Sequence, residues 1–191
     1  MRLSINGHTI QINYEQGSRI KLDNQVFNLL QVHFHAPSEN HINGHSYPLE
    51  AHFVHANEDG KLAVVAVMYD VGEPKKELKV ETDGFRDKVV VAVTSPQDAM
   101  LENVWTVMPI KAGDKHTFNE RINVKNLLPK QREYYRFNGS LTTPPCTEGV
   151  RWLVMKDIVT VSESTIATFL DVLTEPNNRP LQPVNARPIL Q

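Results

Sequence analysis

The chain has 191 residues, 40% of them hydrophobic, which is enough apolar material for one sizeable core and a single domain over 1–191. A formal net charge of −2 supplies no basic surface for nucleic acid or an anionic membrane, and the longest apolar run, 62–69, is far too short to cross a bilayer. Met1-Arg2-Leu3 runs into Ser4, Asn6 and Gly7 without the apolar stretch of an export signal, and a single cysteine, Cys146, excludes an internal disulfide. Two readings of Cys146 stay open: a reduced thiol, or a cysteine whose partner is lost from the chain or lies in another subunit.

Short strands dominate the pattern. Residues 9–14 alternate (Ile10, Ile12, Tyr14), and 28–35 and 49–55 are strands on either side of a loop rich in reversal residues, Pro37, Asn40, Asn43, Gly44 and Pro48. Asn57-Glu58-Asp59-Gly60 is a turn leading into a buried strand over 61–69. Residues 76–80 and 88–93 read as a hairpin around Asp83-Gly84, and 150–155 as a further strand. One helix is marked by a capping box, Thr160-x-x-Glu163, followed by Ile166, Phe169, Leu170 and Leu173 at helical spacing and stopped by Glu175-Pro176. The expected class is mainly β (α+β), a mostly antiparallel sheet with few short helices.

A strand points alternate side chains to opposite faces. Gln31, His33 and His35 therefore share one face, and Glu50, His52 and Val54 share one face of the next strand. Paired antiparallel, the two strands bring three imidazoles to one point. Three His without a fourth protein ligand is the pattern of a catalytic zinc site, which keeps one position open. A His-x-His on its own is more often a surface or core feature; the third His at matching parity favours the metal. Gln31 and Glu50 each precede a His by two residues on the same face, where they can take the second ring N–H. His55 has the opposite parity and faces away. His41 and His45 in the loop, and His116 in a polar stretch, are read as surface residues.

Several motifs in one order resemble a known family. Gln31-Val32-His33-Phe34-His35, Pro37-Ser38-Glu39 and 49–55 resemble the α-class carbonic anhydrases, as do Asn138-Gly139-Ser140-Leu141-Thr142-Thr143-Pro144-Pro145-Cys146 and Asn177-Asn178-Arg179-Pro180-Leu181-Gln182-Pro183. The bacterial branch is the most similar. The resemblance implies a large twisted, mostly antiparallel sheet around a conical pocket. It also implies zinc-dependent, reversible hydration of carbon dioxide to bicarbonate and a proton, by attack of zinc-bound hydroxide. It gives His33, His35 and His52 as Zn2+ ligands, with Gln31, Glu50 and the backbone carbonyl of Asn177 behind them. It places Thr142 and Glu39 in a hydrogen-bond relay that aims the nucleophile, Val54, Val64, Leu141 and Trp152 on the apolar wall for substrate, and Thr143 at the pocket mouth. His8, after Asn6-Gly7, matches a proton shuttle; without the resemblance it is a turn histidine.

The sequence departs from the family in three places. Several dozen residues that normally precede Ser4, including a cysteine partner for Cys146, are not in the chain, so an uncovered apolar face, lower stability and a homodimer that covers the gap are expected. Residues 75–97 read as an insertion, either an extra surface hairpin or a stretch that does not fold. Asn40 stands where many members have His. Two functions are carried forward: an active zinc lyase acting on a small substrate, and a non-catalytic carbonic-anhydrase-like binding module inactivated by truncation. A zinc hydrolase of the His-Glu-x-x-His type is excluded because that motif is absent. By resemblance the full-length parent would be periplasmic.

Overall fold

Strand β4 (Gln25–His35) runs through the middle of the molecule, and its alternation organises everything around it. Val32 and Phe34 are completely buried on one face, while Gln31, His33 and His35 point to the other. The computed structural model describes residues 2–5, 9–15, 17–73, 76–80, 89–106, 115–117, 123–173 and 175–191, with the strands at 2–5, 76–80, 89–93 and 115–117 described by their backbone.

The chain order before β4 is β1 (Arg2–Ile5), β2 (Ile10–Asn13) and β3 (Arg19–Leu22). After it come β5 (Leu49–Ala56), β6 (Leu62–Val71), β7 (Lys76–Val80), β8 (Val89–Val93), α1 (Pro96–Thr106), β9 (Lys115–Thr117), β10 (Tyr134–Ser140), β11 (Glu148–Met155), β12 (Val159–Val161) and α2 (Glu163–Val172). Ten strands form one sheet with the path β10-β11-β6-β5-β4-β2-β1-β9; β12 also pairs with β6, and β3 with β4. The pairs are antiparallel except β11 and β12 on β6, which run parallel. Strands β5 and β6 lie near the centre, and seven consecutive residues of β5, Leu49 to His55, are buried. Burial on both faces explains the near-continuous apolar run of β6.

The two faces hold two apolar clusters. One contains Phe34, Phe53, Tyr69, Leu153 and Phe169 under the helices. Phe34 meets Trp105 of α1 edge-on at 5.1 Å and Phe169 of α2 at 6.0 Å, so the residue between two of the histidines is the one that anchors both helices. The other cluster contains Val54, Val64, Trp152 and Met68, on the histidine face.

The cap of α2 changes against the structure, the hairpin of 76–80 and 89–93 is borne out, and α1 and the β3–β4 hairpin are elements the sequence reading had not marked. Helix α1 overlaps the last two residues of the segment read as an insertion: Ser95-Pro96 with Asp98 is a start signal, and Leu101, Val104 and Trp105 bury one stripe. Residues 76–80 and 89–93 do pair antiparallel as a separate two-stranded sheet, and the Asp83-Gly84 turn lies outside the described residues. The cap of α2 is Ser162, whose hydroxyl accepts from Thr165 N, because Thr160 is already committed to β12 opposite Asp70. The hairpin β3–β4 turns on Asp23 and Asn24, both at positive φ (50° and 59°), the backbone a two-residue primed turn needs.

Candidate metal centre

The register of β4 on β5 places His33 directly opposite His52. His35 follows two residues along β4 on the same face, and the three rings close into a triangle with centroid separations of 4.9 Å (His33–His35), 5.1 Å (His33–His52) and 4.6 Å (His35–His52). One nitrogen from each lies within 4.8 Å of the other two, in the one such group of metal-ligating side chains among the described residues. His35 and His52 are buried and His33 is half-buried.

Each ring has an acceptor behind it. Gln31 Oε1 is 2.9 Å from His33 Nδ1, and the carbonyl oxygen of Asn177 is 3.1 Å from His35 Nδ1. These oxygens only accept, so Nδ1 carries the proton in both rings and Nε2 offers its lone pair. His52 is turned the other way: its Nε2 lies 2.8 Å from Glu50 Oε1 in a bent contact, which leaves Nδ1 for the centre. Burial, helped by the neighbouring imidazoles, holds His33 and His52 well below the ordinary histidine pKa, so both are neutral donors.

Two buried atoms inside this triangle have no hydrogen-bond partner among the described residues: His35 Nε2 and Glu39 Oε2, which lie 3.4 Å apart. Such atoms are costly unless something binds them. Three converging imidazoles, two of them held neutral, with a buried ring nitrogen left unpartnered, suit Zn2+, which takes three His and leaves a position open.

The other predicted residues distribute as follows. Glu39 is buried, and its Oε1 accepts from the backbone N–H of Arg179 at 2.7 Å. Thr142 shares a cleft with Glu39, Trp152 and Arg179. The β10–β11 ladder ends, after a register shift at Gly139/Ser140, just before Leu141 and Thr142. Val54, Val64 and Trp152 sit in one row across β5, β6 and β11, as consecutive register partners, with Leu141 packed against their cluster. Trp152 meets His52 edge-on at 4.8 Å, so the apolar row reaches the histidines. Thr143 is exposed. His8 lies outside the described residues.

His55 is on the opposite face, buried, with Nδ1 2.7 Å from Phe53 O. His45 is exposed, while His41 is half-buried at the cleft rather than fully on the surface. Sequence reasoning gave no role to Arg179, although it lies two residues after Asn177 in a quoted motif. Its backbone fixes Glu39 and its guanidinium reaches Ser140 Oγ at 3.3 Å.

Comparison with known proteins agrees with this geometry. The family model described as eukaryotic-type carbonic anhydrase matches residues 1–191. A carbonic anhydrase of Pectobacterium carotovorum is 43% identical over 185 residues, 97% of this chain and 66% of the relative. One from Neisseria gonorrhoeae is 42% identical over 187 residues, 97% of this chain and 65% of the relative. The α-carbonic anhydrase of Thermovibrio ammonificans, solved with the inhibitor sulfanilamide, superposes with a TM-score of 0.85 at 40% identity, covering all of this chain and 74% of that one. This chain thus spans about two thirds of the length of the bacterial relatives named here. On sequence and on fold, it belongs to the eukaryotic-type, or α, carbonic anhydrase family.

Proposed function

We propose that the chain, loaded with zinc, catalyses the reversible hydration of carbon dioxide to bicarbonate and a proton. The observation that carries this reading is the convergence of His33, His35 and His52, each ring backed by its own acceptor, at the end of an apolar row. When bound there, zinc would supply a Lewis acid that brings the pKa of a coordinated water to about 7, a magnitude established for carbonic anhydrases and taken over from them.

The residues divide the remaining work. Neutral imidazoles leave the metal its full charge. Glu39, pinned at Oε1 by Arg179, keeps Oε2 open to accept the Thr142 hydroxyl proton. Thr142 then offers only a lone pair to the attacking oxygen, which selects a nucleophile that still carries hydrogen and fixes its direction. Val54, Val64, Leu141 and Trp152 offer carbon dioxide an apolar surface with no competing hydrogen bonds. His8 is proposed to move the product proton outward, since an imidazole titrates near neutral pH.

Stopped-flow hydration of carbon dioxide by zinc-loaded protein tests the reading, with a sulfonamide control. Fast, sulfonamide-sensitive turnover supports it. One zinc per chain with no turnover would overturn it in favour of a non-catalytic module. Thr142→Ala is expected to lower kcat/KM by about 100-fold, the usual scale for a positioned proton partner.

A further inference from the structure

Glu50 is completely buried on β5, and its two carboxylate oxygens sit among four nitrogens. Oε2 accepts from the backbone N–H groups of Glu39 at 2.7 Å and Asn40 at 2.9 Å. Oε1 accepts from Asn40 Nδ2 at 2.6 Å and lies 2.8 Å from His52 Nε2. Asn40 reaches both oxygens, one with its backbone and one with its side chain. It therefore fixes the carboxylate in position and in rotation. The His52 contact is close but too bent for a hydrogen bond, so the exact rotation of Glu50 decides whether one forms.

We propose that Asn40 is a positioning residue of the metal centre: its side-chain amide holds Glu50 Oε1 against His52 Nε2, and so keeps the His52 proton on Nε2 and the Nδ1 lone pair turned toward His33 and His35. The inference rests on the metal-site reading above and deepens it. A carboxylate that already accepts three N–H groups can meet His52 only as an acceptor, so this contact favours the proton on Nε2. The side-chain contribution is separable from the fold of the loop. Ser38 Oγ donates to the Asn40 carbonyl at 2.9 Å, and the Asn40 backbone N–H is held by Glu50, so the main chain is anchored without the amide.

The test uses Asn40→Leu, close in volume but without a donor, and Asn40→His, which returns a ring N–H. Two readouts are taken: the His52 tautomer in metal-free protein, from imidazole nitrogen NMR, and the zinc dissociation constant, from chelator competition. In the wild type the His52 proton is expected on Nε2. Asn40→Leu is expected to mix the tautomers and weaken zinc binding by about 10- to 100-fold, the usual cost of losing an outer-shell partner. Asn40→His is expected to recover most of both. An unchanged tautomer and affinity in Asn40→Leu would overturn the proposal. Equal losses in both variants with the same fall in Tm would also overturn it, because they would mark a loop defect. If the wild type takes up no zinc, the metal-site reading fails, and the tautomer readout still decides the role of Asn40.

Discussion

The backbone carbonyl of Asn177 lies 3.1 Å from His35 Nδ1 across 142 residues of sequence, and the side chain of the same asparagine grips the main chain on both sides of that histidine. Its Oδ1 accepts from Ala36 N at 2.9 Å and its Nδ2 donates to Phe34 O at 3.0 Å. One residue of the C-terminal segment thus orients a ring and locks the strand that carries it.

Asn177→Ala removes both side-chain bonds and leaves a main-chain donor and acceptor without them. The expected loss is about 2–4 kcal/mol of stability, since each stranded polar group costs about 1–3 kcal/mol. Chemical denaturation of metal-free protein measures it. Zinc affinity should fall by about 10-fold as well, because the carbonyl behind His35 loses its anchor. An affinity equal to wild type would show that the carbonyl holds its place unaided.

Phe34→Ala should cost about 3–5 kcal/mol, the range for a buried aromatic removed from a packed core. The ring bridges Trp105 and Phe169, so α1 and α2 should loosen together in hydrogen exchange while the β5–β6 ladder stays protected. Loosening confined to one helix would contradict the shared anchor.

His55 makes acid stability pH-dependent. Burial pushes its pKa down from 6.5 to about 4. The unfolded chain takes the proton first as pH falls, so the stability His55 contributes is intact above about 6.5 and is lost progressively down to about 4. A shift of this size corresponds to about 3 kcal/mol across the window. His55→Gln should flatten that part of the stability profile relative to wild type, both measured metal-free. A variant with the wild-type slope would show that His55 is not responsible.

Glu102 works in the opposite sense. The Thr165 hydroxyl lies 2.5 Å from Glu102 Oε1 and 2.6 Å from Asp98 Oδ1. One hydroxyl hydrogen cannot donate to both carboxylates at once. Asp98 accepts from the backbone N–H groups of Thr94 and Ser162. Burial raises the Glu102 pKa, the Thr165 hydrogen bond opposes the rise, and the nearby Asp98 adds to it. A raised folded pKa gives stability that is full below the ordinary glutamate value and is lost as pH rises through the folded one. Glu102→Gln should remove that decline while keeping the neutral-pH fold, read as Tm against pH. A wild-type slope in the variant would show that Glu102 is not the titrating group.

The site was legible where a local rule governs it. Strand parity alone puts Gln31, His33 and His35 on one face, and the turn-rich loop before Leu49 returns the chain for His52. What parity cannot show is a partner far along the chain. The contact of Arg179 with Glu39 spans 140 residues, and the parallel pairing of β11 and β12 on β6 brings together segments with no local signature. The same parallel pairing moved the helix cap from Thr160 to Ser162. Helix α1 had a readable start at Ser95-Pro96, but the neighbouring hairpin pattern drew the boundary of an insertion across it. Strand β3 is only four residues long and exposes alternate side chains, too little for periodicity to register.

The three histidines fall within one hairpin, whereas Asn177 and Arg179, which steady it, come near the end of the chain. During synthesis the complete donor set therefore emerges long before its supports. Contacts close in sequence form ahead of those that must close long loops. Assembly of the histidines and completion of the site are thus separable events in time: the hairpin brings the three rings together, and arrival of the segment with Asn177 and Arg179 is what steadies them.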